Sequence, residues 1–276
     1  MKSRWIFAAM VVLGLLGSSL ESSILRANET LAPSGRPLVK CDFRVNSRIS
    51  RNEDKDSIME GKTLFHDGVV YDFLGRFQEV AVFNFETGRV YLLDLKNKKK
   101  TVVTMDQIQE NTAKLQEWGA AQSHQEVKNY IAPKFEVNIN KDADPEEYTF
   151  KSLMLVYHVV PTKPGSPEML EAYQRFADMS CQFNLMLSPG VRTLFGRMEV
   201  NRTLFRAGRL VARLQVEVTF PKGLFFQKET YFSTLQYLPR LVESDLASIR
   251  QIDEYLATFS EVSLAEYKTA RGGQEK

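Results

Sequence analysis

Two cysteines, three histidines and two tryptophans in 276 residues leave little material for metal or redox chemistry. No Cys-x-x-Cys or His-Glu-x-x-His motif occurs, and His66, His124 and His158 are not spaced as metal ligands. No Gly-x-Ser-x-Gly elbow supplies a nucleophile. Charge of one sign is equally scarce, with a formal net charge of +2. Removing residues 1 to 27 takes away Lys2, Arg4 and Arg26 against Glu21, which leaves basic and acidic residues equal in number. A chain so balanced has no general pull on polyanions, so no nucleic-acid partner is expected. No catalytic, cofactor-binding or metal-binding residue is assigned.

Long apolar runs are also missing, with one exception. Lys2 and Arg4 precede the twelve-residue run Trp5 to Leu16, and Gly17, Ser18 and Ser19 follow it. A basic start, a short apolar stretch and small residues make a secretory signal peptide; the stretch is too short for a bilayer span. Residues 1–27 are read as this signal, with cleavage between 19 and 27. No span remains after its removal, and the mature chain is expected in the periplasm, the cell envelope or the medium. Export would place Cys41 and Cys181 in an oxidising compartment. One expectation is therefore a disulfide between them; the other is two free thiols packed as small apolar side chains.

What the sequence does have is apolar periodicity, with 43% hydrophobic residues. Val39, Cys41, Phe43 and Val45 alternate with polar residues, as in a half-buried strand. Strands are then expected at Lys62–Phe65, Val69–Leu74, Glu79–Phe85, Val90–Leu95 and Thr101–Val103, separated by Asp67-Gly68, Gly75-Arg76, Thr87-Gly88 and lysine-rich breaks. Thr104 and Gln107 form a capping-box pattern that opens a first helix, with Trp118 on its inner face. Phe135, Val137 and Ile139 alternate. Leu153 to Val160, apolar on both faces, is expected to be a central strand ended by Pro161. Ser166-Pro167 opens a helix to Leu187, another runs from Val191 to a stop at Gly208, and a last one spans Val242 to Phe259. Leu210 to Phe220 alternates with every even residue on one face, and turns into a partner strand over Phe225–Leu235. Residues 28–269 are read as a single α+β domain, a curved antiparallel meander under about four helices, and residues 270–276 as a disordered tail.

The run from Gly61 to Gly68, then Val69 to Phe73 and Arg89 to Asp94, resembles a family of exported bacterial proteins of unknown function. In strand order and short turns, residues 38–160 are similar to the half-barrels of outer-membrane lipoprotein carriers, with an echo in Leu210–Leu235. That resemblance implies a curved sheet wrapped around helices and enclosing an apolar groove.

Several motifs fail on inspection. Gly61-Lys62-Thr63 ends like a phosphate-binding loop, but Asp56 stands where glycine is required. Asn140, Asp142 and Asp144 have calcium-loop spacing, yet Pro145 and Lys151 occupy the glycine and glutamate positions. His158 reads as a core histidine; His66 could be oriented as a base by Asp67, but adjacent residues on a tight turn rarely face each other. Lys96, Lys98, Lys99 and Lys100 are expected to form a solvated turn that also blunts a sheet edge, with contact to anionic lipid headgroups or polysaccharide as the alternative. Arg202, Arg206 and Arg209 could gather at a helix end, and Asn28 and Asn201 start glycosylation sequons. The leading expectation is non-enzymatic binding or carriage of an apolar small molecule or lipid, since the strand faces at Phe83, Phe85, Leu92, Leu93, Leu153–Val160 and Leu210–Phe220 need extensive cover; full cover by the helices would instead close the core. The alternatives are an exported hydrolase using scattered carboxylates or His66, and a cell-envelope interaction protein. Export itself is testable: N-terminal sequencing of protein from producing cells should find a start between residues 20 and 28. An intact Met1 on a soluble cytoplasmic species would refute it.

Overall fold

The computed structural model describes residues 37–51, 59–74, 78–188, 190–222 and 225–272. The signal region and the last four residues lie outside them. The first half is an antiparallel meander: β1 (Phe43–Arg51), β2 (Met59–His66), β3 (Val69–Leu74), β4 (Glu79–Asn84), β5 (Arg89–Asp94) and β6 (Lys99–Thr104). Glycines at positive φ, Gly68 at 81° and Gly88 at 64°, make two of its tight turns. Helices α1 (Met105–Ala121) and α2 (Gln125–Ile131) follow, then β7 (Glu136–Asn140), β8 (Glu147–Lys151) and β9 (Leu155–Thr162). Helices α3 (Pro167–Leu187) and α4 (Leu194–Arg206) precede the hairpin β10 (Leu210–Lys222) and β11 (Phe225–Leu238), and α5 (Glu243–Thr258), β12 (Ser260–Glu261) and α6 (Leu264–Gly272) complete the chain.

All twelve strands join one open sheet in the order β12-β6-β5-β4-β3-β2-β1-β11-β10-β9-β8-β7. Every neighbouring pair is antiparallel except β12, which lies parallel to β6. The α+β class and the half-barrel-like open sheet match the expectation from sequence. The cap of α1 is formed as its sequence requires: the Gln107 N–H donates to Thr104 Oγ1 at 3.1 Å, and the Thr104 N–H donates to Gln107 Oε1 at 2.9 Å. Ser166 Oγ likewise accepts from the Met169 N–H at 3.2 Å above Pro167. Gly208, at φ 67°, ends α4.

The helices divide between the two faces of the sheet. On one face, here the inner face, α3 sets Tyr173, Phe176 and Phe183 against Phe65 and Phe83, with ring centroids 5.3 to 6.2 Å apart, largely edge to face. Helix α4 covers β8 to β10 on the same face, packing Val200 and Leu204 with Leu155, Tyr157 and Val216. Its Gly196 is required there, because a Cβ would stand 2.7 Å from Tyr157 Oη and 3.0 Å from Leu155 Cδ1. On the opposite face α5 buries Ile249 and Ile252 against Leu64, Tyr71, Val80, Val82 and Leu93.

Six sequence expectations are corrected. The strand buried on both faces is β4, sandwiched between α3 and α5, whereas β9 hides only alternate residues and leaves Leu153, in the preceding turn, 71% exposed. Alternation in β10 breaks at a bulge between Val211 and Arg213, opposite Pro161, which has no N–H to give the ladder; Leu210 and Val211 are both buried. Pro161 lies inside β9 instead of ending it. Two further short helices exist, and α6 carries residues 270 to 272 of the supposed tail, held by Tyr267, whose hydroxyl donates to buried Glu79 at 3.2 Å. Trp118 is 53% exposed on α1 and does not face the core.

The start of α5 is held by a buried carboxylate. Asp245, 1% exposed, accepts from Arg44 at 3.0 Å, Lys62 at 3.3 Å and the Val242 N–H at 3.2 Å. Burial alone would raise its pKa, but these three donors hold it below the ordinary carboxylate value. Asp245→Ala should cost about 2 to 4 kcal/mol in urea unfolding, below the range for fully buried pairs because Arg44 and Lys62 keep some access to water. An unchanged urea midpoint would show that apolar packing alone holds α5.

Candidate functional site

Pairing in register places Val45, Ser47 and Ile49 of β1, Thr63, Gly61 and Met59 of β2, and Tyr237, Leu235 and Ser233 of β11 side by side on the inner face. The cover over these rows is uneven. Phe43, Val45, Thr63 and Phe65 are buried, whereas Ser47, Ile49, Met59, Gly61 and Ser233 are only half-buried. They form a strip of inner sheet between the α3 cluster and the α4 cluster, and Leu235 packs against both. Small residues keep its floor low. A Cβ on Gly61 would stand 2.7 Å from Ser47 Oγ.

Polar groups stand at both ends of the strip. At one end Tyr231 donates to Glu229 Oε2 at 2.6 Å, and Arg51 binds the other oxygen of the same carboxylate. Burial, followed by its bond to Glu229, pushes the Tyr231 phenol up to about 12. Beside them Arg192 lies over the rings of Phe220 and Tyr130, at 5.1 and 5.7 Å. At the other end Asp72 accepts from Thr63 Oγ1 at 2.7 Å, and the Tyr237 hydroxyl donates to the Val211 carbonyl at 3.0 Å. A separate shallow hollow of about 260 Å³, lined by Phe73, Leu74, Gln78, Glu79, Val80 and Leu95, sits at the β3–β4 end.

The residues singled out in the sequence do not converge. His66 Nδ1 pairs with Asp42 Oδ1 at 3.1 Å instead of with Asp67, whose carboxylate binds Lys40 at 2.7 Å. His158 points outward to Thr149 and is exposed, so it is not a core histidine. Arg202 binds Glu199 at 2.6 Å and Arg209 binds Glu146 at 3.6 Å, so these arginines are spent on carboxylates. Asn201 is 1% exposed, which removes it as a glycan acceptor. Asn28 lies outside the described residues. Lys62 and Thr63 sit inside β2 and not in a loop. The edge of β6 is covered by β12, with Ser260 and Glu261 paired to Lys99 and Lys100, so lysine charge is not what protects it. Among the described residues no group of acidic, histidine or cysteine side chains could hold a metal ion.

The cysteine expectation resolves toward free thiols. Cys41 Sγ lies 3.7 Å from the Glu168 carbonyl in the first turn of α3, while Cys181 is buried thirteen residues further along that helix. Thirteen residues of helix rise about 20 Å, whereas a disulfide needs Cα atoms within roughly 7 Å. Burial pushes the Cys41 thiol up to about 11 and the Cys181 thiol to about 12, so neither is a nucleophile near neutral pH.

Sequence reasoning missed Asp72 and Asp178, because only burial distinguishes them from other acidic residues. Among known proteins, no family model matches the chain and no curated protein matches it significantly.

Burial raises Asp72 from 3.8 to about 6 against the opposing Thr63 bond, and raises Asp178 to about 6 against the pull of Arg202. A carboxyl raised on folding favours the folded state while protonated. That contribution is complete below pH 3.8 and is lost as pH rises through about 6. Asp72→Asn should therefore flatten the fall in thermal midpoint between about pH 4 and pH 7, and leave the variant the more stable at neutral pH. Equal slopes for both proteins would contradict this.

Proposed function

We propose that the protein is a non-enzymatic binding or carrier protein for an apolar, lipid-like ligand, acting after export. The observation that carries the reading is the half-buried strip of inner sheet. Ile49, Met59 and Leu235 alternate there with Ser47, Gly61 and Ser233, giving apolar contact without bulk. An acyl chain laid along it would gain roughly 0.8 kcal/mol per buried methylene. The Arg51–Glu229–Tyr231 cluster at one end offers hydrogen bonds to a polar head. The proposed likeness to lipoprotein-carrier half-barrels supports the same reading. A hydrolase built on His66 lacks support, since Asp42, the carboxylate it pairs with, is exposed, and Asp67 beside it is bound to Lys40.

Binding of a fluorescent palmitate analogue tests the proposal, with organic extracts of the purified protein analysed for lipid. Trp118 is too exposed to report. The wild type should bind saturably, and Ser233→Trp, which fills the strip, should weaken binding about tenfold or more, the worth of two or more displaced methylenes. Unchanged affinity in that variant, or no binding and no extracted lipid in the wild type, would overturn the reading.

A further inference from the structure

Strands β10 and β11, of 13 and 14 residues, outrun their neighbours. Pairing of β9 with β10 stops at Leu155↔Val218, with one further bond from the Thr219 N–H to the Met154 carbonyl at 2.9 Å. Among the described residues, the last β1 residue to pair with β11 is Arg51, opposite Tyr231. Beyond Thr219, the pairs Phe220↔Gln227, Pro221↔Phe226 and Lys222↔Phe225 join the two strands to each other, and no third strand flanks them among the described residues. These three pairs extend about 7 to 10 Å past Thr219. At the tip Phe225 is 79% exposed and Phe226 64% exposed. A two-stranded finger is marginal in water, and two exposed phenylalanines at its end add nothing to its stability there.

The direction of the rings decides among partners. Consecutive strand residues point to opposite faces, so Phe225 and Phe226 leave the hairpin on opposite sides. A protein groove or a second copy of the sheet would cover one of them and leave the other in water. An apolar medium surrounding the tip covers both. Leu153, in the turn beside Thr219, adds a third exposed apolar side chain at the foot of the finger. The charges there are complementary to an anionic surface. Lys228 is matched by Glu217 at 2.5 Å and Glu229 by Arg51, whereas Lys151 and Arg192 are exposed with no carboxylate in ion-pair range among the described residues.

We propose that the β10–β11 tip docks the protein on a lipid bilayer. Phe225 and Phe226 enter the boundary between headgroups and acyl chains, and Lys151 and Arg192 meet anionic headgroups. The finger is long enough to reach that boundary and far too short to span the hydrocarbon core. This surface adjoins the polar end of the strip proposed to hold a ligand, where Arg192 stands, but Phe225 and Phe226 lie outside that strip, and the docking stands whether or not a ligand is carried.

Flotation of the full mature chain with phosphatidylcholine vesicles, and with mixed phosphatidylcholine–phosphatidylglycerol vesicles, tests it. The wild type should float with both, more strongly with the anionic mixture, and that excess should shrink as salt is added. The double variant Phe225→Ser/Phe226→Ser should lose vesicle partitioning by roughly tenfold per ring. Its thermal midpoint and its palmitate binding should stay at wild-type values, which separates this proposal from the ligand reading. A wild type that stays at the bottom of the gradient, or a double variant that floats equally well, would overturn it. So would a wild-type dimer that the double substitution dissolves, since the tip would then be a self-association surface.

Discussion

Pairing of β1 with β11 is the contact on which the rest of the structure depends. Eight residue pairs, from Arg44↔Leu238 to Arg51↔Tyr231, join the N-terminal meander to the C-terminal half of the sheet. The partners are nearly two hundred residues apart, so the pairing closes a long loop, at an entropic cost that grows only slowly with its length. Without it β1 to β6 would end in an open edge at β1, and β11 in another. The half-buried strip exists only because these strands meet, and so does the Arg51–Glu229 pair.

Around that seam, burial and polar anchoring divide the work. Aromatic side chains of α3 fill the inner face over Phe65 and Phe83, while α5 closes the other face over Leu64 and Leu93. A helix packed on a flat apolar sheet can slide, because apolar contact has little direction. Asp245 supplies direction, binding Arg44 of β1 and Lys62 of β2 together, and Tyr71 adds a bond to Asp253 at 3.0 Å about two helical turns further on. The donors crowd the carboxylate closely enough to keep it ionised despite burial. On the inner face the corresponding polar groups, Asp72 and Thr63, bind each other and leave α3 to be held by aromatic packing.

Much of the fold was legible in local chemistry. The period-two runs from Lys62 to Val103, the Asp67-Gly68 and Thr87-Gly88 turns, the Thr104 and Ser166 caps and the Gly208 stop each depend on residues within a few positions of one another, so they survive in the sequence as patterns. Errors arose where a residue's neighbours come from elsewhere. Leu153 to Val160 and Glu79 to Phe85 are alike as apolar runs, yet only β4 has a helix on each side. The bulge near Ala212 answers a proline on another strand, and Trp118 is exposed although its helical spacing matches that of Ile108.

The sequence by itself determined the elements, their turns and caps, and the α+β class, because those follow from short-range backbone and side-chain chemistry. It could not determine what meets across the sheet. Cys41 and Cys181 could have been a bridge or two free thiols, and they lie near opposite ends of one helix; His66 found Asp42, just before β1, in place of adjacent Asp67. The raised carboxyls of Asp72 and Asp178 and the gap in cover over Ser47 and Gly61 follow from burial and register. Both are set only when β1 meets β11 and the helices settle on either side, so only the tertiary structure decided them.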